Sequence, residues 1–286
     1  MSIDLRELLR FYAEAGVDEA LDEASRDRFS EFAAQQNRQA APTGAAQQPA
    51  RSPAAAKGAT DQRPATQPAR PASSNVAVPD EGQVLLAREL AERAGTLEEL
   101  RAGMASFEGC NLRHTAKSLV FADGNPAGAL MLVGEAPGRD EDIEGLPFVG
   151  RSGQLLDRML AAIGIDRTGA YIANVIPWRP PGNRTPTPQE TEICRPFIER
   201  QIELADPKVL VALGGPSSKL LIGTPEGIMK LRGNWRVHRT RTGKEIPVMP
   251  TLHPAYLLRN PAHKRLAWRD FLEIKARLRA DVSRDT

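Results

Sequence analysis

The chain has 286 residues, of which 41% are hydrophobic, and its formal net charge is +2 at pH 7. This composition supports one or two domains with a buried core, and the small basic excess permits contact with a polyanion without requiring it. No apolar run approaches the roughly 20 residues of a membrane-spanning helix, and the acidic N-terminal region has no signal-peptide core. Only two cysteines are present, so we expect a cytoplasmic protein in a reducing compartment without a disulfide framework.

The first segment, residues 1–38, carries five Arg against nine Asp and Glu. Apolar side chains in "IDLRELLRFYAEAGVDEALDE" recur at helical spacing, which predicts an amphipathic helix with an acidic face. Two interpretations stay open for this helix. It could dock on its own domain, or it could bind a partner protein at the end of a tether.

Residues 39–80 differ from both flanking regions because they contain almost no large apolar side chains and are dominated by Ala, Pro, Gln and Arg. Such a segment cannot bury enough surface to fold. We therefore predict a disordered Ala/Pro-rich linker here, followed by a folded domain over residues 81–286.

The folded domain alternates buried strands and helices, which predicts an α/β fold. The predicted strands are 129–133, 171–176, 208–213 and 246–250, and the predicted helices are 152–163, 188–204, 215–222 and 263–280. Strands joined by crossover helices imply a three-layer αβα sandwich around a mostly parallel sheet of about four strands.

Each predicted strand is followed by an unusual loop, and ligands of such folds bind beyond the carboxyl ends of the strands. These loops are "GEAPGRDED", "NVIPWRPPGNRTPTP", "GGPSS" and "TLHPAYLLR". A carboxylate at Glu135 or Glu141, the ring of Phe148, the amide of Asn174 and the imidazole of His253 together suit a flat heterocycle. The ring can stack, the amide can read a polar edge, and the imidazole can stabilise negative charge on a carbonyl oxygen.

Phosphate groups could be held beside this pocket, because small residues open the helices that follow two of the loops and basic residues lie near them. The candidate DNA-backbone contacts are Arg151, Ser152, Gly153, Arg179, Arg184, Gly215, Ser217 and Arg259. Leu257 and Leu258 follow the histidine, and an apolar side chain there could fill the space of an extruded nucleotide.

Four stretches resemble the uracil-DNA glycosylase superfamily, nearest to the iron-sulfur-containing family 4. They are "VGEAPGRDEDIEGLPFVGRSGQLLDRML", "YIANVIPWRPPGNRTPTPQE", "VLVALGG" and "LHPAYLLRNP". The similarity covers most of residues 105–280 and leaves the N-terminal segment and linker outside. It implies a monofunctional repair enzyme that hydrolyses the N-glycosidic bond of uracil in DNA, giving free uracil and an abasic site.

The resemblance also implies roles for single residues. Glu135 and Ala136 fall in the loop that positions the attacking water, and Glu141 falls where the pocket closes around uracil C5 and excludes the thymine methyl. Phe148 would stack on the flipped uracil, and Asn174 would read its polar edge. His253 would stabilise the anionic leaving group at O2.

Two other functions stay open at this point: a non-catalytic binder of lesions or abasic sites, and a protein that binds free nucleotides. For the enzyme we expect a monomer acting on uracil in single- and double-stranded DNA. We interpret Glu141 as a flexible carboxylate in place of an aromatic side chain that would close the pocket. This interpretation also predicts some activity on other deaminated bases.

The resemblance further implies a 4Fe-4S cluster held by four cysteines, but this sequence matches only two of them. Cys110 and Cys194 fall on the first and fourth positions, whereas Arg113 and Trp178 occupy the second and third. Neither a guanidinium nor an indole can ligate iron. We therefore expect no cofactor and no zinc site built with His114, and we expect Trp178 and the stem of Arg113 to fill the space by packing.

Overall fold

The computed structural model describes residues 81–282, excluding the side chains of the last two, and within that range no helix is long and apolar enough to cross a membrane. The predictions for the segment 1–38 and the linker 39–80 lie outside the described residues. The described residues thus cover the predicted domain at 81–286 up to residue 282.

The centre of the domain is one sheet of six strands in the order β1-β3-β2-β4-β6-β5. The strands are β1 Asp123–Gly124, β2 Leu130–Gly134, β3 Ala170–Asn174, β4 Val209–Leu213, β5 Arg236–Arg239 and β6 Glu245–Thr251. The four inner strands run parallel, and the two edge strands pair antiparallel. The α/β class and the four buried strands are confirmed, but the expected count of about four misses both edges.

The helices fall between these strands as crossovers or at the two ends of the domain. They are α1 Glu81–Arg93, α2 Leu97–Ser106, α3 Asn111–Thr115, α4 Arg139–Glu144, α5 Arg151–Ala162, α6 Pro188–Ala205, α7 Gly215–Ile222, α8 Ile228–Leu231, α9 Pro254–Arg259 and α10 Lys264–Val282. The four helices predicted from the sequence correspond to α5, α6, α7 and α10, with small differences at their ends.

Alternate residues of the inner strands point to opposite faces of the sheet, and each face has its own core. On one face, Met131 and Val133 of β2 pack in a cluster with residues of α1, α2, α6 and α7. On the other face, Leu130 and Leu132 pack with residues of α5 and α10. Helices therefore cover both faces of the sheet, and this arrangement confirms the predicted sandwich.

The loop after β3 is held in place by the start of α6. Thr187 accepts the backbone N–H of Glu190 at 3.1 Å, while the Glu190 carboxylate accepts the backbone N–H of Thr187 at 2.7 Å. This reciprocal pair is a capping box, and Pro188 fits the first helical turn because it needs no N–H donor there. The start of α6 thus fixes one end of this loop, and the other end follows β3 directly.

Candidate active site

A cavity of about 500 Å³ lies at the carboxyl ends of the four parallel strands. Loops after β2, β3, β4 and β6 form its walls. All six residues predicted for catalysis and base recognition line it: Glu135, Ala136, Glu141, Phe148, Asn174 and His253. Residues that are far apart in the sequence therefore meet in one site.

Asn174, the last residue of β3, presents an unpaired acceptor in this cavity. The residue is 5% exposed, and its buried Oδ1 has no hydrogen-bond partner among the described residues. Gly134 lies beside it, where an added Cβ would be 2.3 Å from Oδ1 and 2.6 Å from Cζ of Phe148. The glycine at the end of β2 therefore leaves the space in which the amide and the ring meet, and the Oδ1 of Asn174 is free to accept a hydrogen bond from a ligand.

His253 is the N-cap residue of α9, and its Nδ1 accepts the backbone N–H of Ala255 at 3.1 Å. A ring nitrogen that accepts a hydrogen bond carries no proton, so the neutral imidazole has its proton on Nε2. Burial, together with the charge of Arg259, lowers the pKa of His253 to about 4. The residue is therefore a neutral N–H donor at physiological pH.

The ring of Phe148 lies against this imidazole, with ring centroids 5.5 Å apart and planes inclined at 31°. Phe148 is buried and has a φ of 55°, which is uncommon for a residue with a side chain. The ring therefore forms part of the cavity wall in a fixed place.

The two carboxylates of the first loop differ in environment. Burial raises the pKa of Glu135, which makes its carboxylate a stronger base than an exposed one. Glu141 is 7% exposed, and its oxygens accept the backbone N–H groups of Gly138 at 3.0 Å and Gly150 at 3.1 Å. The interpretation of Glu141 as a flexible carboxylate is therefore wrong, because both oxygens are committed to the backbone.

The candidate phosphate contacts divide into two groups. Four of them line the cavity: Ser152, Arg184, Gly215 and Arg259. Arg151 and Gly153 belong to the first turn of α5, but they do not line the cavity, and Gly153 is buried. Ser217 is fully buried, with its hydroxyl 3.3 Å from the carbonyl of Gly214.

Two of the candidate arginines bind protein groups in this structure. Arg184 forms a two-pronged ion pair with Glu190, with distances of 2.8 and 2.6 Å. Arg179 donates from Nε to Asn183 at 2.7 Å and lies 3.9 Å from the buried carboxylate of Asp142. Both side chains therefore brace the loop after β3.

The two leucines of α9 are not equivalent. Leu257 is 1% exposed and packs with Leu155, Leu252 and Ala267, so it cannot act as a wedge in this conformation. Leu258 is only partly buried. Of the two predicted wedge residues, Leu258 alone has surface available.

Several cavity residues had no signal in the sequence. Asn183, Ile228 and Tyr256 also line the cavity, and Tyr256 lies one turn after His253. Ile228 begins the short helix α8, whose four residues lie below the length at which apolar periodicity is readable. The unusual φ of 55° at Asn183 marks its turn, and the "PGN" sequence is typical of such turns.

The resemblance implies four positions for cluster cysteines, and three of them lie in a hydrophobic core. Cys110 and Cys194 are free and buried, with their Sγ atoms 3.8 Å apart. Trp178 is 2% exposed in the same cluster, where its ring stacks on that of Phe107 at 6.4 Å. Arg113 turns outward to Glu108 and donates to the carbonyl of Ala105 at 2.7 Å.

This environment does not fit an iron-sulfur cluster. Two thiols supply half of the usual four ligands, and an indole packs beside them. Among residues 81–282, no three His, Cys, Asp or Glu side chains converge as a metal site. No step of the chemistry below uses a metal or a cluster.

Comparison with known proteins agrees with this geometry. The family model described as "Uracil DNA glycosylase superfamily" matches residues 121–272. The chain belongs to this superfamily.

Curated relatives place the chain near one branch of that family. A type-4 uracil-DNA glycosylase of Sulfurisphaera tokodaii is 39% identical over 185 residues, covering 63% of this chain and 84% of the relative. The type-4 enzyme of Archaeoglobus fulgidus is 38% identical over 184 residues, which is 63% of this chain and 92% of that protein. The type-4 enzyme of Thermotoga maritima is 42% identical over 173 residues, which is 58% and 86% of the two chains.

Proposed function

We propose that this protein is a uracil-DNA glycosylase that hydrolyses the N-glycosidic bond of uracil in DNA and leaves an abasic site. The observation that carries the proposal is the buried, unpartnered Oδ1 of Asn174 in the cavity. Uracil has an N–H donor at N3 and a carbonyl acceptor at O4 beside it. One side-chain amide complements both groups, since it offers an acceptor and a donor along one edge.

The leaving group is stabilised by a neutral hydrogen bond. As the bond between C1′ and N1 breaks, the electron pair moves onto uracil, and negative charge grows on O2. The Nε2–H of His253 can donate to that oxygen, and its pKa of about 4 keeps this form dominant at neutral pH. Phe148 stacks on the extruded base, and this requires the nucleotide to leave the helix first.

The other half of the reaction takes place at the sugar. A water molecule held by the loop of Glu135 and Ala136 attacks C1′ as positive charge develops there. The carboxylate of Glu135 accepts the proton released by that water, and the raised pKa of this group favours the transfer. The products are free uracil and DNA with an abasic site.

Substrate range follows from the wall near Glu141. Its side chain is fixed by two backbone amides, so it can present a rigid surface at C5 against which a thymine methyl group would collide. We propose activity on uracil in single strands and opposite guanine. The rigidity counts against broad activity on other deaminated bases.

DNA is the proposed partner. Ser152, Gly215 and Arg259 lie at the cavity and suit contacts with phosphates flanking the flipped nucleotide. Leu258 is the proposed wedge. We also propose a monomer in the cytoplasm, where a reducing environment would keep the two adjacent thiols free.

We propose that the enzyme works without a cluster. The packing of Trp178 in the same hydrophobic cluster as both cysteines supports this, because an indole at a ligand position cannot bind iron. The purified protein is expected to be colourless, to contain no stoichiometric iron or zinc, and to retain activity in chelator. A brown preparation with about four irons per chain would overturn this proposal.

The domain over residues 81–286 is proposed to carry the activity by itself. Every cavity residue lies within it. Deletion of residues 1–80 should leave excision on a short oligonucleotide nearly unchanged, and failure of the truncated chain to fold would contradict the proposed division.

The direct test is excision from a uracil-containing oligonucleotide, followed by alkali to cut at abasic sites. The wild type should give cleavage at uracil alone. Asn174→Ala and His253→Gln should each lose at least about 100-fold in rate, as is typical when a transition-state hydrogen bond is removed. His114→Gln, at an exposed histidine outside the cavity, is the matched control and should keep full activity.

Two outcomes would contradict the proposal. A gel shift on uracil DNA without any product would indicate a binder instead of an enzyme. Full activity in both cavity variants would mean that the base-recognition site lies elsewhere.

A further inference from the structure

The backbone of Phe148 adopts a conformation that side-chain-bearing residues rarely adopt. Its φ of 55° lies in the left-handed region, although the residue is neither Gly nor Asn. Such a conformation persists only where surrounding groups hold it, and it is often found at functional sites. The groups that hold Phe148 therefore also determine where its ring stands in the cavity.

One side chain holds the turn before and at Phe148. Arg167 lies in the 3-10 turn Arg167–Gly169, immediately before β3. Its Nη1 donates to the carbonyl of Pro147 at 3.2 Å, and its Nη2 donates to the carbonyl of Phe148. The two terminal nitrogens of one planar guanidinium therefore donate to the carbonyls of two successive residues.

The guanidinium is itself oriented by carboxylates on two other elements. Nε donates to Asp157 of α5 at 2.8 Å, and Nη1 forms an ion pair with Asp123 of β1. The guanidinium is planar and its donors point in fixed directions, so these two carboxylates favour one orientation of it. The ammonium of a lysine would not be oriented in this way. The two carboxylates therefore hold the Arg167 guanidinium in the orientation in which it donates to both carbonyls, without a ligand in the cavity.

The Phe148 carbonyl also lies close to α5. An added Cβ at Gly153 would lie 1.7 Å from that oxygen, so the helix backbone approaches it directly. The carbonyl therefore contacts both this backbone and the guanidinium. Beyond the carbonyl, the ring of Phe148 reaches Gly134 and His253.

We propose that Arg167 is a positioning residue that sets the ring of Phe148 against the flipped base, acting through the carbonyls of Pro147 and Phe148. The proposal rests on the proposed function, since it takes Phe148 as the ring that stacks on uracil. Arg167 does not line the cavity. Its effect is therefore on base stacking and not on binding of the DNA backbone.

The test compares Arg167→Met, which keeps the side-chain stem but has no donors, with Arg167→Lys and with Arg200→Met. Arg200 also donates to a backbone carbonyl, that of Ala94 at 2.8 Å, but it does not line the cavity, so its variant is the matched control for structural loss. Four quantities are measured below the unfolding transition of every variant. They are kcat and KM on single-stranded uracil DNA, the inhibition constant of free uracil, and the affinity for abasic-site DNA.

In Arg167→Met we expect kcat to fall about tenfold or more and the inhibition constant of uracil to rise about tenfold, as for the loss of charged hydrogen bonds. Affinity for abasic-site DNA should stay within about twofold of wild type, because the flanking phosphate contacts are unaffected. Arg167→Lys should fall between wild type and Arg167→Met, since an ammonium replaces a fork. Arg200→Met should bind uracil as the wild type does, because Arg200 does not line the cavity.

An unchanged inhibition constant for uracil in a folded Arg167→Met would overturn the proposal. Equal changes in Arg200→Met would do so as well, because they would show a general structural effect. If Arg167→Met does not fold, the lysine variant decides by the same two criteria. Absence of uracil excision in the wild type would instead contradict the proposed function, so the two failures are distinguishable.

Discussion

Replacing Trp178 with alanine tests whether aromatic packing stabilises the region around the two buried cysteines. Trp178 is 2% exposed and packs with Phe107, Cys110 and Cys194. Truncating a buried tryptophan costs about 3–5 kcal/mol, against a total stability of about 5–15 kcal/mol for a domain. The free energy of unfolding should therefore fall by about 3–5 kcal/mol, which is a third to a half of a mid-range total of about 10 kcal/mol.

The expected change in melting temperature follows from the size of the domain. For a domain of about 200 residues, 1 kcal/mol lowers Tm by about 2–4 °C, so Trp178→Ala should lower Tm by roughly 6–20 °C. Urea unfolding followed by far-UV circular dichroism gives the free energy directly. That signal does not depend on the tryptophan that has been removed.

Trp268→Ala is the matched control because Trp268 lies on α10 with 44% of its surface exposed. It loses the same atoms from a position that is half in water, so its cost should stay near 1 kcal/mol or below. Excision by Trp178→Ala at low temperature should persist, since Trp178 does not line the cavity. Equal destabilisation in the two variants would refute the reasoning, and so would a Trp178→Ala protein as stable as wild type.

Three further predictions concern the cavity. Gly134→Ala should abolish excision while the chain still folds, because the added Cβ would be 2.3 Å from Oδ1 of Asn174. Gly103→Ala is the control and should be fully active, because the space around Gly103 is open. Glu141→Gln should lower the free energy of unfolding by about 1–3 kcal/mol in urea titrations, since an NH₂ group would face a backbone N–H. An unchanged stability would count against the two backbone hydrogen bonds of Glu141. Glu135→Gln should leave a slow excision rate that is level from about pH 5 to 8, because His253, with its pKa lowered to about 4, stays neutral there; an inflection near 6.5 in that variant would show that the histidine titrates normally.

The sequence predicts those parts of the fold that depend on local patterns. The inner strands are continuous buried runs such as Leu130–Gly134, and these are readable without a structure. The edge strands are not, because Asp123–Gly124 has two residues and Arg236–Arg239 is mostly exposed. Their pairing is determined by tertiary contacts, which leave no periodic signal.

The cavity was predictable to the extent that its residues follow strand ends. Asn174 and His253 occupy such positions, and the structure brings both into one cavity. Arg167 could not be found in this way, because its partners Asp123, Pro147 and Asp157 lie on separate elements. The burial of Leu257 was equally invisible, since adjacent leucines on a short helix differ only in the direction they face.

The strand order has a consequence for how the protein comes to be active during synthesis. β6 is an inner strand, paired with β4 on one side and β5 on the other, and His253 follows it directly. Chains emerge from the ribosome N-terminal end first, so the first loop and Asn174 exist before the strand that delivers the imidazole. A nascent chain can therefore not excise bases until its sheet is complete, and catalytic competence arrives together with the finished fold.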